Sequence, residues 1–321
     1  MAVSIGHSIK EGFRIANKSW AGMAVYAGGW VLVGVAAALL LMVAGAVAPI
    51  PGELVQEFSR AEQAAPAPTS ETTTPPAVTE TPSEQPAAVP EGTSPKVHQE
   101  HLMTLAVQWL GRAWPFVLIL VIGFVVGASW LYGGQLGYVT ARVRSGSAPV
   151  AEFWQAGTRA LWPLLASWML SLAATVLMLL VIGLIGWLAS LLPHALGIVL
   201  GLVAVLAALV PLVWLLASVA FWFIAIVADR LGLLGGLKAS MRIVRGRWWK
   251  TLGLLACLTL IALAVALPLG LLEGVGNAIG GVGGGVLVAA TNLLQVLIVN
   301  LYFGFVVVAA CIRYYEDAKS A

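Results

Sequence analysis

Residues 237–255 read LKASMRIVRGRWWKTLGLL. Apolar side chains fall at a spacing of four, three and four: Leu237, Met241, Val244 and Trp248. On an α-helix that spacing draws one apolar stripe, because residues three and four apart share a face. Lys238, Arg242 and Arg245 fill the other face. Past Thr251 the chain turns apolar for the length of a membrane span. A basic amphipathic helix that leads into a span suits the inner surface of a membrane. Its Trp ring sits at headgroup depth while its cations meet anionic phosphates. The stretch predicts an interfacial helix near 236–249 followed by a spanning helix.

The same pattern occurs twice more. Ile9, Phe13, Ala16 and Trp20 repeat the spacing before the first apolar run, with Lys10, Arg14 and Lys18 on the polar face. Val150, Trp154, Gly157 and Leu161 repeat it near 150–160, with Glu152, Gln155 and Arg159 opposite. Gly157 makes that second copy the weakest, since glycine adds no apolar side chain and lowers helix propensity. Each unit reads as interfacial helix, span, outer loop, span. The returning spans also end alike, in Val143-Arg144, Asp229-Arg230 and Ile312-Arg313. The predicted fold is an all-α integral membrane protein of six transmembrane helices, built as three repeats of an interfacial amphipathic helix plus a helical hairpin.

Composition agrees with that class. Of 321 residues, 60% are hydrophobic and 10% charged, and mean hydropathy is +0.95. Soluble domains run about 45–50% apolar and about 25% charged. The apolar residues cluster near 21–48, 114–140, 160–190, 196–228, 250–272 and 284–312. Each run can hold the roughly 20 helical residues that the hydrocarbon core requires. The fourth and sixth are long enough to tilt or to begin with a half-helix outside the bilayer, and Pro211 would kink the fourth. The run after Lys10, Arg14 and Lys18 exceeds the about 7–15 apolar residues of a signal peptide, so it reads as an uncleaved first span.

Charge orients the spans. Lys10, Arg14, Lys18, Arg142, Arg144, Arg159, Arg230, Lys238, Arg242, Arg245, Arg247, Lys250, Arg313 and Lys319 fall on one side, which is 14 of the 17 Lys and Arg. Arg60, Lys96 and Arg112 fall on the other. The positive-inside rule makes the first side, with both termini, cytoplasmic, and the expected location is a prokaryotic inner membrane. The same rule accounts for the net charge of +3 without a nucleic-acid partner. Three regions follow: an interfacial helix and first span over 1–50, an outer loop over 51–100, and five further spans over 101–321. The loop is rich in Pro, Thr and Glu and nearly lacks aromatic residues, so it is expected to be disordered. Cys257 and Cys311 lie inside apolar runs and read as buried thiols rather than a disulfide.

Residues 237–255 resemble the signature of a broad group of prokaryotic six-span proteins. That group includes the membrane domain attached to some glycerophosphoryl diester phosphodiesterases. Ser240, Arg242, Arg245, Trp248 and Trp249 carry the likeness, and the ending Tyr314-Tyr315-Glu316-Asp317 is similar to the family's aromatic–acidic close. The long 51–100 loop departs from the family's short first loop. The resemblance implies a fold rather than an activity. The catalytic barrel of those phosphodiesterases needs at least about 200 further residues, which this chain does not hold.

Catalytic signals are sparse. His98-Gln99-Glu100-His101 offers two His at i and i+3 but no third spaced ligand, so no metal site and no cofactor are expected. No ionisable residue lies mid-span, which argues against a proton relay. Gly280-Gly281-Val282-Gly283-Gly284-Gly285 lacks nucleotide-binding spacing and reads as a flexible or closely packed helix start. The pairs Gly123/Gly127, Gly133/Gly137, Gly197/Gly201 and Gly280/Gly284 suit close helix approach.

Two sets of residues remain as candidates. Arg14, Lys18, Trp20, Arg159, Arg242, Arg245, Arg247, Trp248 and Trp249 form a lipid-interface set. It would contact anionic membrane lipids and could dock a protein at the cytoplasmic face. Ser167, Ser171 and Thr175, with Asn292 and Gln295, would line a polar cavity if they turned inward together. The first set points to a non-enzymatic scaffold or accessory protein in envelope or lipid homeostasis. The second points to a transporter or permease-like subunit for an apolar or amphipathic solute.

Overall fold

A computed structural model describes residues 4–47, 49, 52, 95–190, 217 and 219–320. Every regular element among them is a helix. In chain order these are α1 (Ile5–Asn17), α2 (Trp20–Val47), α3 (Pro95–Ser145), α4 (Val150–Ser190), α5 (Trp222–Ala228), α6 (Leu233–Val244), α7 (Trp248–Ile279) and α8 (Gly281–Leu294). A π-helical segment, Gln295–Phe303, then leads into α9 (Gly304–Ser320). Among the described residues, five helices are long and apolar enough to cross a membrane: Trp20–Val47, Gly111–Ser145, Val150–Leu188, Trp248–Ile279 and Gly281–Ser320. The chain is therefore an all-α protein of the membrane class. Most of the expected fourth span, with Pro211, Gly197 and Gly201, lies outside the described residues, as does nearly all of the 51–94 loop segment. Helix α3 begins at Pro95, inside the predicted loop.

Two compact units are present: residues 1–33 with 125–321, and residues 34–124. The second holds the C-terminal part of α2 and the N-terminal part of α3. Its Leu39, Met42, Ile119 and Ile122 are exposed, as side chains that meet lipid tails would be.

In the first unit the core gathers where α3, α5 and α9 finish. Phe153, Phe221, Phe305, Tyr138, Tyr314 and Tyr315 are fully buried there. Phe221 stacks on Tyr314 with centroids 5.5 Å apart. Along the spans, by contrast, Leu172, Leu179, Leu260 and Leu271 stay exposed.

Each amphipathic segment rests on the end of such a helix. The start of α4 lies on α3, where a Cβ on Gly137 would fall 2.0 Å from the Ala156 Cβ. Helix α6 lies on α5: the Trp222 indole donates to the Leu233 carbonyl at 2.8 Å, and the Phe221 N–H donates to Ser240 Oγ at 3.2 Å. Helix α1 lies on α9. A Cβ on Gly12 would stand 2.8 Å from the Val306 carbonyl oxygen and 2.9 Å from the Ala310 Cβ. Only glycine permits that approach.

The buried register is shared by the three segments. Ser8, Gly12, Ile15 and Ala16 are buried in α1, Phe153, Ala156 and Gly157 in α4, and Gly236, Ser240, Ile243 and Val244 in α6. In α1 and α6 this face starts one residue before the apolar stripe read from the sequence, whereas in α4 it starts at Phe153. The stripe's first members, Ile9, Val150 and Leu237, lie at the edge of the contact and are only partly buried or exposed. Gly12, Ala156 and Gly236 let the helix backbones come close, and Ile15, Phe153 and Ile243 fill the contact beside them.

The segments differ in how they meet their spans. Lys18 and Ser19 separate α1 from α2, and Gly246, at φ 85°, separates α6 from α7. Helix α4 instead runs unbroken from Val150 through Pro163. Arg159 occupies the place of Gly246 in that copy, and of Lys18 in the first, where the break is made at φ −94°. A second left-handed pair, Gly280 and Gly281, turns α7 into α8. The expected close packing follows immediately, with a Gly284 Cβ position only 2.3 Å from the Gly276 carbonyl oxygen.

Candidate functional site

Helices as long as α4 and Gly281–Ser320, 40 residues, reach about 60 Å at 1.5 Å per residue. The hydrocarbon core is only about 30 Å thick. The charged end of the first unit can therefore stand clear of the lipid tails, and two features occupy it.

The first is an ion network centred on Asp229, the residue that ends α5. Arg144 Nη2 donates to Asp229 Oδ1 at 2.9 Å, Lys319 Nζ reaches the same oxygen at 2.8 Å, and the Tyr315 hydroxyl donates to Oδ2 at 2.7 Å. Arg144 also pairs with Glu316 and donates to the Ala228 carbonyl. Burial by itself would raise the Asp229 carboxyl. Hydrogen bonds from Lys319, Tyr315 and Arg144 outweigh it and hold the group below the usual carboxylate range. Arg313 pairs with Asp317 one turn on, at 3.2 Å. Tyr315 and Glu316 thus bond residues at the ends of other helices, while Asp317 pairs within α9. Arg247 joins from α7's start by donating to the Ala318 carbonyl. This network staples the ends of α3, α5 and α9.

The second feature is a cavity of about 250 Å³ between α1, α3 and α9, lined by Glu11, Arg14, Ile15, Lys18, Arg142, Val143, Gly146 and Arg313. Four cations face one carboxylate there. Arg14 is neutralised by Glu11 at 2.6 Å. Arg142 has no carboxylate partner among the described residues: its Nη1 donates to the Tyr138 hydroxyl at 3.0 Å. Lys18 makes no ion pair among the described residues. The Nε atoms of Arg142 and Arg313 are buried without an acceptor. An unsatisfied buried donor costs about 1–3 kcal/mol, so such atoms mark a place where an acceptor is missing. Residues two positions apart on an α-helix are about 200° apart around its axis at 3.6 residues per turn. That is why Arg144 serves the network while Arg142 serves the cavity.

Among protein families, the Domain of unknown function (DUF7847) matches residues 101–318. The chain belongs to the DUF7847 family. Comparison with curated proteins and with solved structures found no match. The DUF7847 region contains the whole Arg144–Asp229–Glu316 triad and contributes Arg142 and Arg313 to the cavity. Glu11, Arg14 and Lys18 come from the chain that precedes the DUF7847 region. The cavity therefore forms only where α1 docks on it.

The structure places the other expected residues as follows. Trp20 and Trp249 are 65% and 79% exposed, and Trp248 packs edge-on against Trp249 with centroids 4.6 Å apart. Arg242 and Arg245 are exposed on α6. Arg159 reaches Glu152 at 3.7 Å. Arg247 differs from these, because its guanidinium is committed to the protein through Ala318. In α4 the Ser167 hydroxyl donates to the Pro163 carbonyl at 2.7 Å, and Thr175 donates to that of Ser171 at 2.9 Å. Asn292 is exposed and Gln295 opens the π-helical segment. The hydroxyls are thus satisfied within their own helix. The side chains of His98 and His101 lie outside the described residues. No group of three or more His, Cys, Asp or Glu among the described residues could hold a metal ion.

Sequence reading left Asp229 as a span-end charge and Arg142 as one of many basic residues. The available signal was Asp229 itself, an acidic residue at a span end on the cation-rich side.

Proposed function

We propose that this DUF7847 protein is a non-enzymatic scaffold or accessory protein of a prokaryotic cytoplasmic membrane, acting in envelope or lipid homeostasis. In this reading the chain crosses six times, as three repeats, with both termini and the charged end in the cytoplasm. The carrying observation is the common seating of α1, the start of α4 and α6. Each buries the same register on the end of a returning helix. Around them, Arg14, Lys18, Trp20, Arg242, Arg245 and Trp249 are exposed. The distribution of Lys and Arg supports the orientation. Exposed cations near an anionic leaflet each contribute about 1 kcal/mol of attraction.

The test combines topology and lipid association. Reporters fused after residues 17, 147, 232 and 320 should all register cytoplasmic. Replacing exposed Arg242 and Arg245 together with Glu should weaken recovery with vesicles containing 30% phosphatidylglycerol, relative to phosphatidylcholine alone. Unchanged recovery, or a periplasmic reporter at 232, rejects the reading.

A further inference from the structure

We propose that the cavity between α1, α3 and α9 is a binding site for a phosphate mono- or diester, with Arg142 and Lys18 as its principal cationic contacts. The uncommitted charge carries the argument. Arg14 and Arg313 each have a carboxylate at hand, Glu11 and Asp317. Arg142 and Lys18 have none among the described residues, so two positive charges in the wall await an anion. Two buried guanidinium Nε–H groups also lack acceptors. Guanidinium suits a tetrahedral oxyanion because its planar fork can donate to two oxygens at once.

Size narrows the class. Sites for drug-sized ligands hold about 300–1,000 Å³, and this cavity holds about 250 Å³. A phosphate with a small substituent such as glycerol suits that volume. Glu11 in the wall disfavours a second large anionic group. Position agrees as well. The walls are the amphipathic α1 and the ends of two helices that extend past the hydrocarbon, which is the depth of lipid phosphates. The same chemistry could come from a lipid headgroup or from a soluble phosphate ester. The lipid source rests on the orientation proposed above; the soluble source does not.

The experiment uses the full chain in nanodiscs. One arm holds phosphatidylcholine with 10% phosphatidylglycerol, and native mass spectrometry counts the phosphatidylglycerol retained after release. The other arm holds phosphatidylcholine alone and is titrated with glycerol 1-phosphate while the melting midpoint is followed. We expect retained phosphatidylglycerol or a saturable rise in midpoint, and at least a tenfold weakening of whichever is seen in Lys18→Glu and Arg142→Gln. Lys18 is exposed, so Lys18→Glu reports even if Arg142→Gln misfolds. A response only in the first arm assigns a lipid headgroup, and one only in the second assigns a soluble ester. Response in neither arm overturns the site. So does equal response in wild type, Lys18→Glu and Arg142→Gln. The pair Arg242→Gln and Arg245→Gln separates the two proposals. If that pair lowers phosphatidylglycerol retention while the cavity variants do not, the interfacial reading survives and the cavity site falls.

Discussion

Arg144 and Asp229 are 85 residues apart in sequence and meet at 2.9 Å. The contact joins the last turn of α3 to the end of α5, and through Lys319 and Glu316 it also holds α9. The Arg144 side chain is 41% exposed, so water screens part of the attraction and the Asp229 side of the pair is the more sensitive to loss of its partner. The Asp229 side chain is only 15% exposed.

Asp229→Asn keeps the shape but removes the charge that Arg144 and Lys319 share. We expect a loss of about 2 kcal/mol, from the strength of charge-assisted hydrogen bonds. Thiol labelling reads it: Cys311 is buried and Cys257 exposed. In a Cys257→Ser background, labelling of Cys311 should begin at a lower temperature in Asp229→Asn than in the parent. An unchanged profile would show that the network carries no stability.

Acid should act through the same group. Its folded-state pKa is lowered, whereas the unfolded reference is about 3.9. A depressed carboxylate contributes stability that is present above the unfolded value and is lost as pH falls through the folded value. The melting midpoint of the wild type should thus fall more steeply than that of Asp229→Asn below about pH 4. Parallel curves would assign the acid transition to other groups.

Gly12 tests how α1 docks. Gly12→Val puts carbon within 3 Å of the Val306 carbonyl and Ala310, and overpacking of this kind costs about 1–3 kcal/mol. We expect proteolytic cleavage between α1 and α2 to accelerate. The DUF7847 region should stay folded, as judged by protection of Cys311. Wild-type cleavage rates would contradict the α1–α9 packing.

Trp20 and Trp249 should behave in the opposite way. Both are largely exposed, and the ring contact of Trp249 is with the neighbouring Trp248. Trp20→Ala with Trp249→Ala should leave stability in detergent within about 0.5 kcal/mol of wild type, the usual range for surface changes. Partition into lipid vesicles should weaken. A large drop in midpoint would place these rings in the core.

The sequence by itself determined the class, the positions of the described spans and the basic segments that precede them. These follow from run length and from a helical period that any window of the chain displays. It was less informative about which face of those segments packs. Apolarity marked the row through Phe13 and Met241, whereas Gly12 and Ser240 make the contact, because close backbones need small residues more than greasy ones. Tertiary structure alone decided that Arg144 belongs to Asp229 and Arg142 to a cavity with Lys18. Those partners lie far apart along the chain, and in sequence each is simply a charge beside a span. Which charges become neutralised and which stay free depends on how three helix ends converge, and no local pattern encodes that convergence.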